Sequence, residues 1–325
     1  MKTQLSTNLT EMLGIKFPII QAPMFLVSNT KMVIEAANSG ITGCIPAMNY
    51  RTIAELRSAI LEFQSNSDGP LGINLIVNKF NNQRDKQLAV CVELGVDYII
   101  TSLGNPQSTI EACKPKGIKV FCDVVDLEYA KKVELLGADA IIAVNNQAGG
   151  HLGPMSPQEL IPLLVKNCKL PIISAGGVSN GSQLKTLLEL GASGVSIGTP
   201  FIATHEAAVS DEYKQAIVDY SAEDIVITDR VSGSRCTIIN TPYVQSISLK
   251  ANFLERFLFK NKWFKKYFKM FRWFKGTRMF ENSAFSATYK TVWCAGPSLE
   301  GVHSIRYVSQ VVADILEPFM LEDES

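Results

Sequence analysis

The sequence predicts an α/β fold: a (β/α)8 TIM barrel with a smaller, mainly helical C-terminal portion. Three observations carry this. Eight short apolar runs recur with helical segments between them, several of those segments stop at a glycine, and helix passes to strand through Leu-Gly-Ala/Val three times (LGVDYII, LGADAII, LGASGVS). Continuous apolar runs suit parallel strands buried on both faces. Glycine just past a helix is a stop signal, because it takes the left-handed conformation without strain. An open doubly wound sheet is the competing arrangement. Eight regular units over the first two-thirds of the chain favour closure into a barrel.

The strands read as 17–24 (FPIIQAPM), 42–47 (TGCIPA), 71–77 (LGINLIV), 98–102 (YIITS), 119–124 (KVFCDV), 140–144 (AIIAV), 171–177 (PIISAGG) and 194–199 (GVSIGT). Apolar residues at helical spacing mark helices over 30–39, 53–63, 83–94, 127–136, 157–166 and 182–190. Gly40, Gly95, Gly137 and Gly191 end four of these. The barrel takes residues 1–204, a helical lid or substrate portion 205–300, and a closing helix 301–325. Apolar Ile305, Val308, Val312, Ile315 and Leu316 return that helix to the barrel, with His303 at its start.

Composition narrows the function. The chain has 325 residues, is 46% hydrophobic and has zero formal net charge, which argues against a general nucleic-acid binder. The first twelve residues are polar and lack a signal-peptide core, and no run reaches the length of a membrane span. Seven scattered cysteines without a CxxC pair fit reduced thiols in a cytosolic protein and neither a disulfide framework nor a metal site. The oligomeric state is left open.

A TIM barrel carries its active site at the C-terminal ends of its strands. That rule gathers Ala22, Pro23 and Met24 after strand 1, Asn74 on strand 3, and Cys122 and Asp123 after strand 5. It adds Gln147, Gly149, Gly150 and His151 after strand 6, Gly176 and Gly177 after strand 7, and Gly198 and Thr199 after strand 8. Of three histidines, only His151 sits in a glycine-rich loop (AGGHLG). It is the candidate catalytic residue, since imidazole exchanges protons near neutral pH. SAGG at 174–177 and SIGT at 196–199 fall on the last two strands, where this fold commonly binds a phosphate through backbone N–H groups and hydroxyls. His205 reads as structural or as support for the site.

QAPM, GINL, AGGHLG, ISAGGV and SIGTPF occur in this order over roughly residues 10–206, and SGSRCTIIN follows at 232–240. Together they resemble the nitronate monooxygenases, formerly 2-nitropropane dioxygenases, and the related flavin-dependent enoyl-ACP reductases. The resemblance implies non-covalent FMN in the barrel mouth. Met24 and Asn74 match positions near its ring. Gly149 and Gly177, with their neighbours Gly150 and Gly176, match backbone contacts. Ser196, Ile197, Gly198 and Thr199 match the segment that holds its phosphate, and His151 matches the catalytic histidine. Trp293 and Cys294 match a stretch that covers the flavin's outer edge.

Two departures stand out. Val144 and Gln147 occupy positions where the family commonly has a glutamine and a glutamate, leaving Asn145 and Asn146 as nearby amides that could replace the lost one. The expected reaction is oxidation of an alkyl nitronate, or of a nitroalkane with His151 as general base, with molecular oxygen as electron acceptor. The alternatives are an NAD(P)H-dependent enoyl-ACP or quinone reductase on the same scaffold, and a non-catalytic ligand-binding barrel, which Val144 and Gln147 would permit.

From Lys250 to Arg278 the chain changes character, with ten Lys or Arg against one acidic residue. Phe257, Phe264, Phe268, Phe271 and Phe274 recur near one helical face. Three roles compete: a helix packed on the barrel, a helix lying on an anionic membrane surface that makes the enzyme peripheral, or an interface with an acidic partner or second subunit.

Overall fold

Eight parallel strands close on themselves. In the computed structural model, which describes residues 5–229, 235–246, 284 and 292–321, they are β1 (Ile19–Gln21), β2 (Thr42–Pro46), β3 (Leu71–Ile76), β4 (Tyr98–Ser102), β5 (Lys119–Val124), β6 (Ala140–Val144), β8 (Ile172–Ala175) and β9 (Gly194–Ile197). Closure is visible at Ile20, which pairs with Thr42 of β2 on one side and Ser196 of β9 on the other.

The helices between them are α2 (Thr30–Asn38), α3 (Ile53–Asn66), α4 (Arg84–Leu94), α5 (Gln107–Cys113), α6 (Leu127–Leu136), α7 (Pro157–Asn167) and α8 (Gly181–Glu189); α1 (Asn8–Leu13) precedes β1. Their ends are written locally. Thr52 and Ser156 begin α3 and α7 with reciprocal capping boxes to Glu55 and Glu159. Gly40, Gly95, Gly137 and Gly191 all take positive φ, as their positions after helices required.

α5 was not foreseen. It is seven residues long and buries only Thr109, Ile110 and Cys113, too short a pattern to show helical periodicity.

Two cores result. One fills the barrel, where inward side chains Ile20, Cys44, Tyr98, Ile100, Phe121, Ala140, Ile142 and Ile173 meet Leu9 and Ile15. Leu9 closes the bottom against Gly194, where any Cβ would overlap its side chain. The larger core lies between strands and helices.

Past the barrel come α9 (Thr199–Ile202), α10 (Asp211–Asp219), β10 (Ile225–Thr228), β11 (Cys236–Ile239), α11 (Pro242–Ser246) and α12 (Val308–Leu321). The sequence reading contains no strand after residue 199, yet β10 and β11 pair antiparallel and β11 also pairs with β7 (Gly150–His151). The closing helix starts at Val308, later than the sequence suggests. Before it, 297–301 form a 3-10 turn, and Arg306 bridges to Thr204 and accepts from the His205 N–H at 2.9 Å. The basic-aromatic segment 250–278 lies outside the described residues. Among them, no helix is long and apolar enough to cross a membrane.

Tyr98 is the largest side chain fully buried in the barrel. Its ring stacks on Phe121 at 5.0 Å and its hydroxyl donates to the Gly43 carbonyl at 3.1 Å. A Cβ at Gly72 would overlap that ring. Gly72→Ala is therefore expected to destabilise the fold by about 1–3 kcal/mol, the usual range for overpacking. Urea unfolding checks this, and an unchanged midpoint would mean that Tyr98 does not hold this position.

Candidate active site

Residue parity along the strands builds the floor of the site. Side chains two apart share a face of a strand, so those above the barrel core also point inward. At the C-terminal ends these are Asn74, Ser102, Asp123, Val144, Ala175 and Ser196, and all of them line one cavity of about 550 Å³. That is within the range of roughly 300–1,000 Å³ typical of ligand sites. Cys122, one residue from Asp123, falls in the outer core instead.

Three of these side chains form a chain. The Asn74 amide donates to the Ile100 carbonyl at 3.0 Å and to Ser102 Oγ at 2.8 Å, and Ser102 Oγ donates to Asp123 Oδ2 at 2.5 Å. Both amide hydrogens are thus used in the wall, leaving the Asn74 carbonyl oxygen as the group it offers a ligand. Burial pushes the Asp123 carboxyl up to about 6, with the Ser102 hydrogen bond partly offsetting it.

The loop after β1 is braced by Ser28. Its hydroxyl accepts from the Met24 N–H at 3.0 Å and donates to the Ala22 carbonyl at 2.9 Å. Met24 is thereby set beside Gly198 and the cavity.

The loop after β6 is organised by Asn145, which is fully buried. Its amide donates to the Gly176 carbonyl at 3.0 Å, and its side-chain oxygen accepts from the Gln147 N–H at 2.8 Å. Asn145 is a tie between the β6 and β8 loops, and neither it nor the exposed Asn146 lines the cavity. The amide in the cavity wall is Gln147, whose side chain lies against Gly177. Val144 also lines the cavity and presents only methyl groups.

The next residues leave the barrel. Gly150 and His151 form β7 and pair with Thr237 and Cys236 of β11. Thr237 Oγ1 donates to the Ala148 carbonyl at 2.7 Å, reinforcing the join. His151 is therefore positioned by a strand and not by a free loop. Its side chain faces the open cavity while protein surrounds it elsewhere, and burial lowers its pKa from the usual 6.5. That shift favours the neutral imidazole.

Residues 292–296 complete the rim. The Trp293 carbonyl accepts from the Ile239 N–H at 2.9 Å, Trp293 stacks on Tyr213 at 5.4 Å, and the Tyr213 hydroxyl donates to the Cys294 carbonyl at 2.6 Å. The Gly296 N–H donates to Thr199 Oγ1 at 3.0 Å, leaving that hydroxyl's proton to donate elsewhere.

Of the site residues expected from the sequence, the cavity brings together His151, Met24, Asn74, Gly149, Gly150, Gly176, Gly177, Ser196, Ile197, Gly198 and Thr199 and leaves out Cys122. His205 lies elsewhere, with its ring 4.5 Å from Tyr307. Ser102 and Tyr213 were missed; strand parity was enough to find Ser102. Among the described residues no three His, Cys, Asp or Glu side chains group as a metal site. Gly149 and Gly176 are required by the packing of the loops that form the cavity wall. A Cβ at Gly149 would sit 2.9 Å from the Gly296 nitrogen, and one at Gly176 would sit 2.5 Å from the Ala148 nitrogen. No lysine or arginine is among the described lining residues, which offer an anionic group backbone N–H groups and hydroxyls.

Two outcomes are expected. Gly176 has φ +111, so Gly176→Ala strains the backbone and pushes on the β6 loop; retention of a bound flavin should weaken at least about tenfold, read by fluorescence titration. Equal affinity would mean that this contact does not shape the cradle. The second concerns Asp123. The folded protein keeps this proton up to about pH 6, whereas an ordinary aspartate loses it near 3.8, so stability falls as pH rises through that interval. Asp123→Asn should abolish that fall and raise stability at pH 7 by on the order of 1 kcal/mol, measured by denaturation at pH 5 and 7.

The nitronate monooxygenase family model matches residues 6–316. A (3aS,4S,5R,7aS)-5-hydroxy-7a-methyl-1-oxo-octahydro-1H-indene-4-carboxyl-CoA dehydrogenase of Rhodococcus jostii is 30% identical over 248 residues, 76% of this chain and 69% of that one. A nitronate monooxygenase of Paraburkholderia phytofirmans is 29% identical, over 69% and 74% of the two chains. The solved structure of FabK from Thermotoga maritima superposes with a TM-score of 0.84 at 27% identity, covering 99% and 98%. Its barrel, its glycine-lined cavity and this match across the chain place the protein in the nitronate monooxygenase family of flavin-dependent oxidoreductases.

Proposed function

We propose that the protein is an FMN-dependent nitronate monooxygenase whose His151 removes the α-proton of a neutral nitroalkane, with molecular oxygen as the electron acceptor. The observation that carries the reading is His151, fixed by the β7–β11 pairing at the rim of the cavity, where desolvation by the surrounding protein favours its neutral form. A neutral imidazole is a base, and a base within reach of a carbon acid is what this step needs. Met24 and Asn74 would flank the flavin ring, with Val144 packing against it. Gly149, Gly150, Gly176 and Gly177 would approach it with backbone, and Ser196, Ile197, Gly198 and Thr199 would hold the phosphate. Bound FMN supplies the redox chemistry between substrate and oxygen. The absence of lysine and arginine from the described lining favours the neutral nitroalkane over its anion as the form admitted.

A second reading has specific support. FabK and the R. jostii CoA-ester dehydrogenase are as similar to this chain as the monooxygenase is. A reductase using NADH or NADPH on an acyl or quinone substrate would use the same cavity. Anaerobic mixing separates the two: bleaching of the flavin by a nitroalkane or nitronate but not by NADH or NADPH supports the first. Rapid bleaching by a nicotinamide alone moves the assignment to the second.

His151→Asn should lower nitroalkane turnover by about a hundred- to ten-thousand-fold, the usual worth of a general base. Preformed nitronate, which has already lost that proton, should be affected far less. The acid limb of the wild-type pH profile should lie below the ordinary histidine value of 6.5, because burial disfavours the protonated imidazole. Equal losses on both substrates would remove the general-base role.

A further inference from the structure

The ladder that positions His151 also positions a pair of thiols. Cys236 stands directly opposite His151 across β7 and β11. Opposed residues of an antiparallel pair point to the same face, with Cβ atoms about 4.5–5.5 Å apart. Cys294 packs against the small cluster that contains Cys236. Both line the cavity, whereas Cys44, Cys91, Cys113, Cys122 and Cys168 do not. The backbone anchors of Trp293 and Cys294 hold the second thiol against β11. Cys236, Cys294 and His151 therefore line one cavity together.

We propose that Cys236 and Cys294 are a redox-active dithiol, which a hydroperoxide entering the cavity oxidises to a disulfide. In the first step the Cys236 sulfur attacks a peroxide oxygen. The O–O bond breaks, an S–O bond forms, and the thiol proton passes through His151 to the departing hydroxide or alkoxide. The products are a Cys236 sulfenic acid and water or an alcohol. In the second step the Cys294 sulfur attacks the Cys236 sulfur, the S–O bond breaks, an S–S bond forms, and the Cys294 proton leaves with hydroxide as water. Two thiols lose two electrons and the peroxide gains them. The bond would tie β11 to the 292–296 rim beside His151. The proposal needs no electron from the flavin and does not depend on the substrate assigned above.

The test treats the full-length, flavin-loaded wild-type protein with hydrogen peroxide, blocks remaining thiols with iodoacetamide, and maps peptides by mass spectrometry without reduction. The expected result is a Cys236–Cys294 linked peptide, lighter by two hydrogens, that dithiothreitol reverses while flavin absorbance stays unchanged. In Cys294→Ser the reaction should stop at a Cys236 sulfenic acid that dimedone captures. Equal alkylation of both cysteines before and after peroxide overturns the proposal. So does a linked peptide that pairs other cysteines, or one that forms only after urea unfolding.

Discussion

Closure of the barrel is the constraint on which the site depends. Once β1 pairs with both β2 and β9, every strand has a fixed inside and outside, and alternate residues cannot exchange faces without turning the core outward. The same parity that puts Tyr98 and Phe121 in the barrel core puts Ser102 and Asp123 in the cavity above it. Cys122, with an apolar neighbourhood outside, is excluded by one position. The polar floor is thus a consequence of register: Asn74, Ser102 and Asp123 meet because β3, β4 and β5 are adjacent and similarly staggered.

The barrel alone does not complete the site. His151 belongs to a second, three-stranded sheet whose other members come from residues 225–239, far along the chain. Asn145 fixes where the chain leaves β6, and β11 fixes where it goes next. The 292–296 rim then hydrogen-bonds to β11 and to Thr199. Three separate stretches therefore set the distance between the imidazole and the glycine cradle. Such a site is sensitive to changes in the post-barrel chain that touch neither substrate nor cofactor.

Much of this was legible in the sequence, for a physical reason. Buried parallel strands leave continuous apolar runs, and helix ends leave glycines at positive φ; both signals are local. The glycine loops were legible because their backbones pass close to neighbouring loops, at Gly149 against Gly296 and at Gly176 against Ala148, and only residues without a Cβ permit it. What stayed hidden was non-local. β7 has two residues and exists only through its pairing with β11, and β11 reads as strand only once its partner is known. Asn145 and Gln147 could not be told apart by composition, since both are amides in one short loop. The fold makes one a tie and gives the other to the cavity.

The charge of the cavity sets how the site can discriminate. Asp123 is the one carboxyl in the described lining, and no lysine or arginine opposes it. An anionic phosphate in such a place must be held by many weak partial charges, which glycine backbone at the ends of β8 and β9 can supply at close range. The same arrangement is poor at attracting a small anionic substrate, because no lysine or arginine is among the described residues that line the cavity. Replacing a glutamate by Gln147 removes one negative charge near the histidine, and Asp123 places another on the floor of the cavity. Burial keeps Asp123 close to its own titration point, so it can hold or release a proton near neutral pH at small cost. Under the proposed reading, the substrate enters uncharged through an apolar mouth and becomes charged only after His151 has taken its proton. The electrostatic work then falls within the chemical step and not on binding.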